Sequence, residues 1–416
     1  MKRLLSIVAV GALAVGMVAC GDDDDSSGAA TTAAGASTTT AAGGSATTAG
    51  GSEETTATSG GSEDTTASSA AGGGGGTEGA AAGEAAAARI KPFLEPITKI
   101  PVTEKLDAAP AKGKKLYWLE GNIQSILPIT GGFEAATKAI GWDLTTITYD
   151  PSDPQGPNAA MQQAVDAGAD FIAISGQPVS AVETALAAAK AKNIPVFAMF
   201  GENESDPATG IVAVVGGLNT TAANSQNLAD WVISDSKGEA DALLVNLPDF
   251  TILQYAEKQL TDHYKASCTS CKLDVLETTI ADLTAGNVPG QVVSYLQSHP
   301  DVKYVNVAIG DLATGLPEAI AAAGIDGVKI SGGVPNVDQI QSLIDGTTNA
   351  WKALPRVSAA WMMVDAMARY DQKMDTSVDE VVADAPIFTP DNVEKPAADY
   401  AGVPGYEDQW KALWGV

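Results

Sequence analysis

The sequence predicts an α/β protein of two lobes, each a parallel sheet with helices on both faces. Three observations carry this reading. Short apolar, β-branched runs alternate with stretches of helical periodicity from about residue 114 to residue 370. The alternation runs through twice, with a break after residue 215. Glycines such as Gly141 and Gly168 follow helical stretches, where a left-handed C-cap is favoured. Strands alternating with helices imply parallel sheets covered on both sides. In such folds a ligand sits beyond the carboxyl ends of the strands, here in the crevice between lobes.

The first half reads in order as strand 115–120, helix 131–140, strand 144–149, helix 158–167, strand 171–175, helix 179–192, and strands 196–200 and 211–215. The second half reads as helix 222–234, strand 242–247, helix 252–265, strand 273–278, helix 288–298, strand 303–309, helix 316–323, strand 328–331, helix 337–344 and a strand at 349–353. A strong helix at 357–370 closes the pattern. No composition shift separates the halves, so close hinge connections are expected instead of a linker.

The flanking residues have a different composition. Residues 1–20 carry Lys2 and Arg3, then an uncharged apolar run from 4 to 18. The run is short for a membrane span, which needs about 20 residues, and fits a secretory signal peptide. Met17-Val18-Ala19-Cys20 resembles the bacterial lipobox, with Met where Leu is usual. Cys20 is thus the expected lipidation site, placing the protein outside the cytoplasm of a bacterium and on the cell membrane. Residues 21–88 contain only Gly, Asp, Ser, Ala, Thr and Glu. Such a stretch offers little apolar surface to offset chain ordering, so it is expected to be a disordered tether.

Charge narrows the function classes. The chain has 24 Lys and Arg against 51 Asp and Glu, a net charge of −27. No basic surface for nucleic acid is expected. The folded part from residue 89 is itself acidic and holds only Arg89, Arg356 and Arg369 as arginines, which argues against an anionic ligand gripped by paired guanidiniums. His263 and His299 are the only histidines, so no multi-histidine metal site is expected, and no cofactor. There is no G-x-S-x-G, Walker loop or H-E-x-x-H, and no enzyme activity is expected.

Several segments resemble type I periplasmic sugar-binding proteins. They are Gly131-Gly132-Phe133-Glu134-Ala135-Ala136 followed by Gly141-Trp142, the run Met161-Gln162-Gln163-Ala164-Val165-Asp166-Ala167-Gly168-Ala169-Asp170-Phe171-Ile172-Ala173-Ile174, the stretch from Ala188 to Val196 ending Asn193-Ile194-Pro195-Val196, and Ile387-Phe388-Thr389-Pro390-Asp391-Asn392-Val393. They span about 113–393 in the family's order. The resemblance implies two Rossmann-like lobes with parallel sheets, joined by a three-crossing hinge, and delivery of a solute to an ABC importer. It implies an N-lobe at 113–217 plus 354–386, a C-lobe at 218–353 and a tail at 387–416. The expected partners are a small-molecule solute and ABC permease subunits.

The family's polar ligand contacts do not carry over. Its Asp-Arg pair falls on Phe200 and Gly201, its Asn-Asp near Ile309 and Gly310 beside Asp311, its next Asp near Gly333 or Val334, and its Gln near Ala353 or Leu354. These departures replace charge-assisted hydrogen bonds with an apolar crevice. The resemblance implies a carbohydrate-like ligand; the residues at these positions suit a less polar cyclic or aromatic solute. A ligand-sensing co-receptor for a membrane signalling protein is the other class.

Strand-end positions supply the candidate ligand contacts. Glu120, Asn122 and Gln124 follow the first strand and would bond ligand hydroxyls or amides, or solvate the loop. Phe200 would stack on a ring or pack the core, and Glu202 would face the crevice or solvent. Asp249 and Phe250 follow a second-half strand, where Asp249 could instead cap a helix. Asp311 is a contact or a cap, and Trp351 a clamp or a filler between lobes. Cys268-Thr269-Ser270-Cys271 follows a helix and precedes a strand, the reverse of a thioredoxin-like site, so a small structural disulfide is expected.

Overall fold

The computed structural model describes residues 75–201, 203–206, 208–377 and 385–416. The signal segment with Cys20, tether residues 21–74 and Glu202 lie outside the described residues.

The first described element corrects an expectation. Residues 75–88, read as disordered tether, belong to helix α1 (Gly75–Ile90). Alanine favours the helix, and the small residues that seemed unable to pack let it approach a neighbour closely. A side-chain carbon on Gly79 would lie 3.0 Å from the Gly238 carbonyl, and one on Gly83 2.9 Å from the Lys237 backbone. Ala86 is fully buried, and Arg89 grips Asp230 with two bonds of 2.8 and 2.6 Å.

The N-lobe follows. Its elements are β1 (Lys115–Gly121), α2 (Leu127–Ile140), β2 (Asp143–Tyr149), α3 (Gly156–Asp166), β3 (Phe171–Ser175), α4 (Val179–Ala191), β4 (Val196–Met199) and β5 (Ile211–Val215). The strands form one parallel sheet in the order β2-β1-β3-β4-β5. β3 and β4 are buried along their whole length, because helices cover both faces. Pro128 opens α2, and Gly141 closes it at φ 74°.

The C-lobe comprises α5 (Leu218–Asp235), β6 (Asp241–Asn246), α6 (Thr251–Ser267), β7 (Lys272–Glu277), α7 (Ile280–Ala285), α8 (Val288–Ser298), β8 (Tyr304–Val307), α9 (Leu316–Ala322), β9 (Lys329–Gly333), α10 (Val337–Ile344) and β10 (Ala350–Lys352). Short α7 was not foreseen. The remaining elements are α11 (Arg356–Asp371), β11 (Ile387–Phe388) and α12 (Tyr406–Trp414). The second sheet runs β11-β10-β9-β8-β6-β7, parallel except for β11. Cys268 and Cys271 are joined by a disulfide between α6 and β7.

The chain passes between lobes three times: from β5 into α5, from β10 into α11, and between β11 and α12. The segment read as a tail is therefore structural at both ends. Its strand pairs with β10, and its helix packs Trp410 and Trp414 into the N-lobe core. Trp414 stacks on Trp361 of α11 at 5.2 Å and donates to Asp365 at 2.6 Å. Among the described residues no helix is long and apolar enough to cross a membrane.

Candidate functional site

The carboxyl ends of both sheets open on one crevice. Loops after β1, β3, β4 and β5 meet C-lobe loops after β6, β8, β9 and β10, together with the starts of α5 and α6. They enclose a cavity of about 160 Å3. Its lining is mainly apolar. The N-lobe contributes Ile123, Ile126 and Phe200, and the C-lobe contributes Phe250, Leu253, Ile309 and Val334. Phe250 reaches across the crevice: its ring would lie 4.0 Å from a side-chain carbon placed on Gly176.

Phe200 and Val334 have φ of 50° and 49°. Left-handed backbone is unfavourable for large side chains and most of all for a β-branched one. One such residue comes from each lobe, and both face the same cavity. Strain of this kind concentrates at functional sites, where the surrounding fold holds it in place.

Two cations border the cavity, and both are committed to protein. Lys352 donates to the Ala385 carbonyl, with its ammonium 4.2 Å over the Phe93 ring. Arg356 is 3% exposed and lies where the lobes meet. It donates to the Ser125 carbonyl at 2.8 Å in the N-lobe. On the C-lobe side it donates to the Pro335 carbonyl at 2.8 Å and to Asn336 Oδ1 at 2.9 Å. A fourth bond of 3.1 Å reaches Asp399. Burial lowers its pKa from the usual guanidinium value, opposed by the negative charges of Asp399 and Asp311. Sequence reasoning counted Arg356 only among scarce arginines and missed this role; its place at the start of a helix after a hinge strand was the available signal.

The expected contacts separate into groups. Phe200 and Phe250 line the apolar cavity. Asn122, Gln124 and Asp311 come together at an adjoining cavity of about 270 Å3, and Ile123 borders both. Asp311 is 7% exposed, and its Oδ2 has no hydrogen-bond partner. Glu120 is turned into the N-lobe, where it accepts from Thr130 and, at 3.1 Å, from Thr148. Trp351 does not clamp the crevice: it is fully buried in the C-lobe core and donates to Thr348 at 3.0 Å. Asp249 is exposed and borders neither cavity. The cavity also holds Ser175, Thr220, Thr221 and Asn224, which the sequence reading did not single out.

One side-chain group elsewhere has the composition of a catalytic triad. His263 Nε2 lies 2.7 Å from Asp230 Oδ1, and Ser267 Oγ lies 3.3 Å from the same nitrogen. A relay needs the serine and the carboxylate on opposite ring nitrogens, so this group ties α5 to α6 without the geometry of a nucleophile.

Two lobes, three crossings and a cavity between strand ends are the arrangement of a two-lobed binding-protein fold. The model of the periplasmic binding protein domain matches residues 120–373, and the chain belongs to that family. The fold is that of the type I periplasmic binding proteins. A glucose-galactose binding protein, GanP from Geobacillus stearothermophilus, is similar at 18% identity and TM-score 0.59, covering 68% of this chain and 99% of its own. A carbohydrate transporter from Acidothermus cellulolyticus 11B, in complex with myo-inositol, is similar at 20% identity and TM-score 0.58, covering 68% and 96%. A putative LacI transcriptional regulator from Bacteroides fragilis shares the fold at 12% identity and TM-score 0.59, covering 68% and 99%. No curated protein sequence matches the chain.

Proposed function

We propose that the protein is the extracytoplasmic receptor of an ABC importer, anchored through a lipid on Cys20, which captures one small uncharged solute between its lobes. The observation that carries this reading is the position of the cavity. Residues of both lobes line it, and the chain crosses between the lobes three times, the kind of connection about which hinge closure would turn. A ligand contacted by both lobes stabilises the closed form by its differential affinity, and the closed surface is what a permease would recognise. Family membership and the relatives with bound myo-inositol or named for glucose and galactose support transport over catalysis.

The test is capture. The mature protein is incubated with a small-molecule extract, separated by gel filtration and examined by native mass spectrometry. A single compound retained at one per chain and recovered unchanged is the expected result. No retained compound would sink the receptor reading, and recovery of a chemically altered one would favour an enzyme. The anchor has its own check: Cys20→Ser should move the protein from the membrane to the soluble fraction.

A further inference from the structure

We infer that the solute is a largely apolar ring compound, aromatic or alicyclic, with no more than one or two polar groups. The inference rests on the receptor reading above and specifies its substrate class. Hydrogen-bonding capacity in the cavity is the first argument. Lys352 and Arg356 are already engaged, and the Ser225 hydroxyl donates to the Thr221 carbonyl at 2.8 Å. What remains among the lining side chains is Ser125, Ser175, Thr220, Thr221 and Asn224, neutral groups with three of the five clustered on the first turns of α5. A sugar presents hydroxyls around its whole ring. Those facing Ile123, Ile126, Leu253 and Ile309 would lose water and find no partner, and a site that leaves buried hydroxyls unpaired rejects them strongly. An anionic solute fares no better, because the guanidinium that borders the cavity is held by four protein oxygens.

The second argument is where large apolar side chains are kept. At φ near 50° a glycine, asparagine or aspartate would sit with less steric cost than Phe200 or Val334. Both positions instead carry bulky apolar groups that face the cavity. With Phe250 from the opposite lobe, Phe200 supplies aromatic surface on either side of the crevice. Such faces suit a ring, and the α5 residues at one edge suit a single hydroxyl or carbonyl.

The experiment uses the mature chain and an uncharged fluorescent ring compound, N-phenyl-1-naphthylamine. Fluorescence should rise on titration and saturate at one per chain. Indole, 1-naphthol and oestradiol are then scored for displacement and for thermal shift, beside ribose, glucose and myo-inositol. At least one ring compound should displace the dye and raise the melting temperature by about 4 °C or more at saturation, while the sugars do neither. Phe200→Asp, which tolerates the left-handed backbone, and Ile309→Ser should each weaken dye binding about tenfold or more, with folding checked by circular dichroism. A sugar that shifts melting where every ring compound fails overturns the class and leaves the receptor reading standing. Failure of both panels overturns both. Dye binding unchanged in both variants places the dye elsewhere and overturns the inference.

Discussion

Arg356→Met removes the guanidinium that joins the lobes while keeping most of the aliphatic stem. Three buried acceptors lose a donor: the carbonyls of Ser125 and Pro335, and the side-chain oxygen of Asn336, which keeps only the Gln339 backbone N–H, at 2.8, 2.8 and 2.9 Å. Each is worth about 1 kcal/mol as a net hydrogen bond, and more when its partner is left buried and unsatisfied. The Asp399 carboxylate is 30% exposed, so solvent screens that pair and it adds only about 0.5 kcal/mol. The expected loss is therefore about 3–5 kcal/mol, the range for breaking a buried charged contact from one side. At about 2 °C per kcal/mol for a domain of this size, melting should fall by roughly 6–10 °C. Urea unfolding and calorimetry measure the loss, and small-angle scattering measures lobe separation, which should increase because the lost bonds run to both lobes. Arg356→Lys keeps a charge but cannot reach four acceptors, and should recover less than half. A methionine variant within about 1 kcal/mol of the parent, with unchanged scattering, would refute the account of Arg356 as the tie between lobes.

Three further outcomes follow from the geometry. Gly132→Ala should destabilise by about 1–3 kcal/mol in urea unfolding, because the new carbon would lie 2.4 Å from the Val357 carbonyl and force α11 away from α2; a neutral result would contradict the close approach of these helices. Docking of α1 should weaken in acid: burial raises the Asp230 pKa, but bonds from Arg89 and His263 outweigh it and hold the carboxyl below its ordinary value. That contribution is present above about pH 4 and is lost as pH falls through the lower folded pKa, so hydrogen exchange across residues 80–90 should speed up below pH 4, and unchanged protection would count against it. Glu120→Ala should cost about 1 kcal/mol, mainly by leaving half-buried Thr130 without its acceptor while water reaches exposed Thr148, yet leave naphthylamine affinity within twofold; a large loss of affinity at unchanged stability would return Glu120 to the site.

The fold was legible because buried parallel strands read as continuous apolar runs, as in β3 and β4, and because helices between them keep their period. Besides short α7, two elements escaped, for opposite reasons. α1 packs by means of glycine and alanine, so a count of large apolar side chains marks it as unable to fold, although its small residues are what permit contact with Gly238. α12 carries Trp410 and Trp414 but stands alone beyond the repeating pattern, and its partner Trp361 is 49 or more residues away. At the site, Phe200 and Phe250 were legible from position at strand ends. Glu120 and Trp351 occupy equally suggestive positions but point into the lobes, and strand-end placement alone does not give side-chain direction, which depends on pleat and on what fills each face.

The arginines show how composition can be read for the wrong purpose. Their scarcity argues against a guanidinium grip on an anionic ligand, yet each of the three arginines from residue 89 onward has a positional role. Arg89 holds α1 to Asp230 on α5. Arg356 joins the lobes, and Arg369 pairs with buried Asp365 at 2.6 Å while donating to the Glu104 carbonyl. In an acidic chain, a planar donor fork that reaches several oxygens at once is the efficient way to fasten distant segments. Fastening the lobes with protein acceptors also frees the cavity from supplying a charge for closure. Closure can then be driven by covering apolar surface of an uncharged ligand, at about 25 cal/mol per Å2 removed from water. If the proposed solute binds there, the lobe tie and the apolar lining are two parts of one arrangement: the polar work of joining the lobes is done by Arg356 beside the cavity, and the solute would meet mainly carbon.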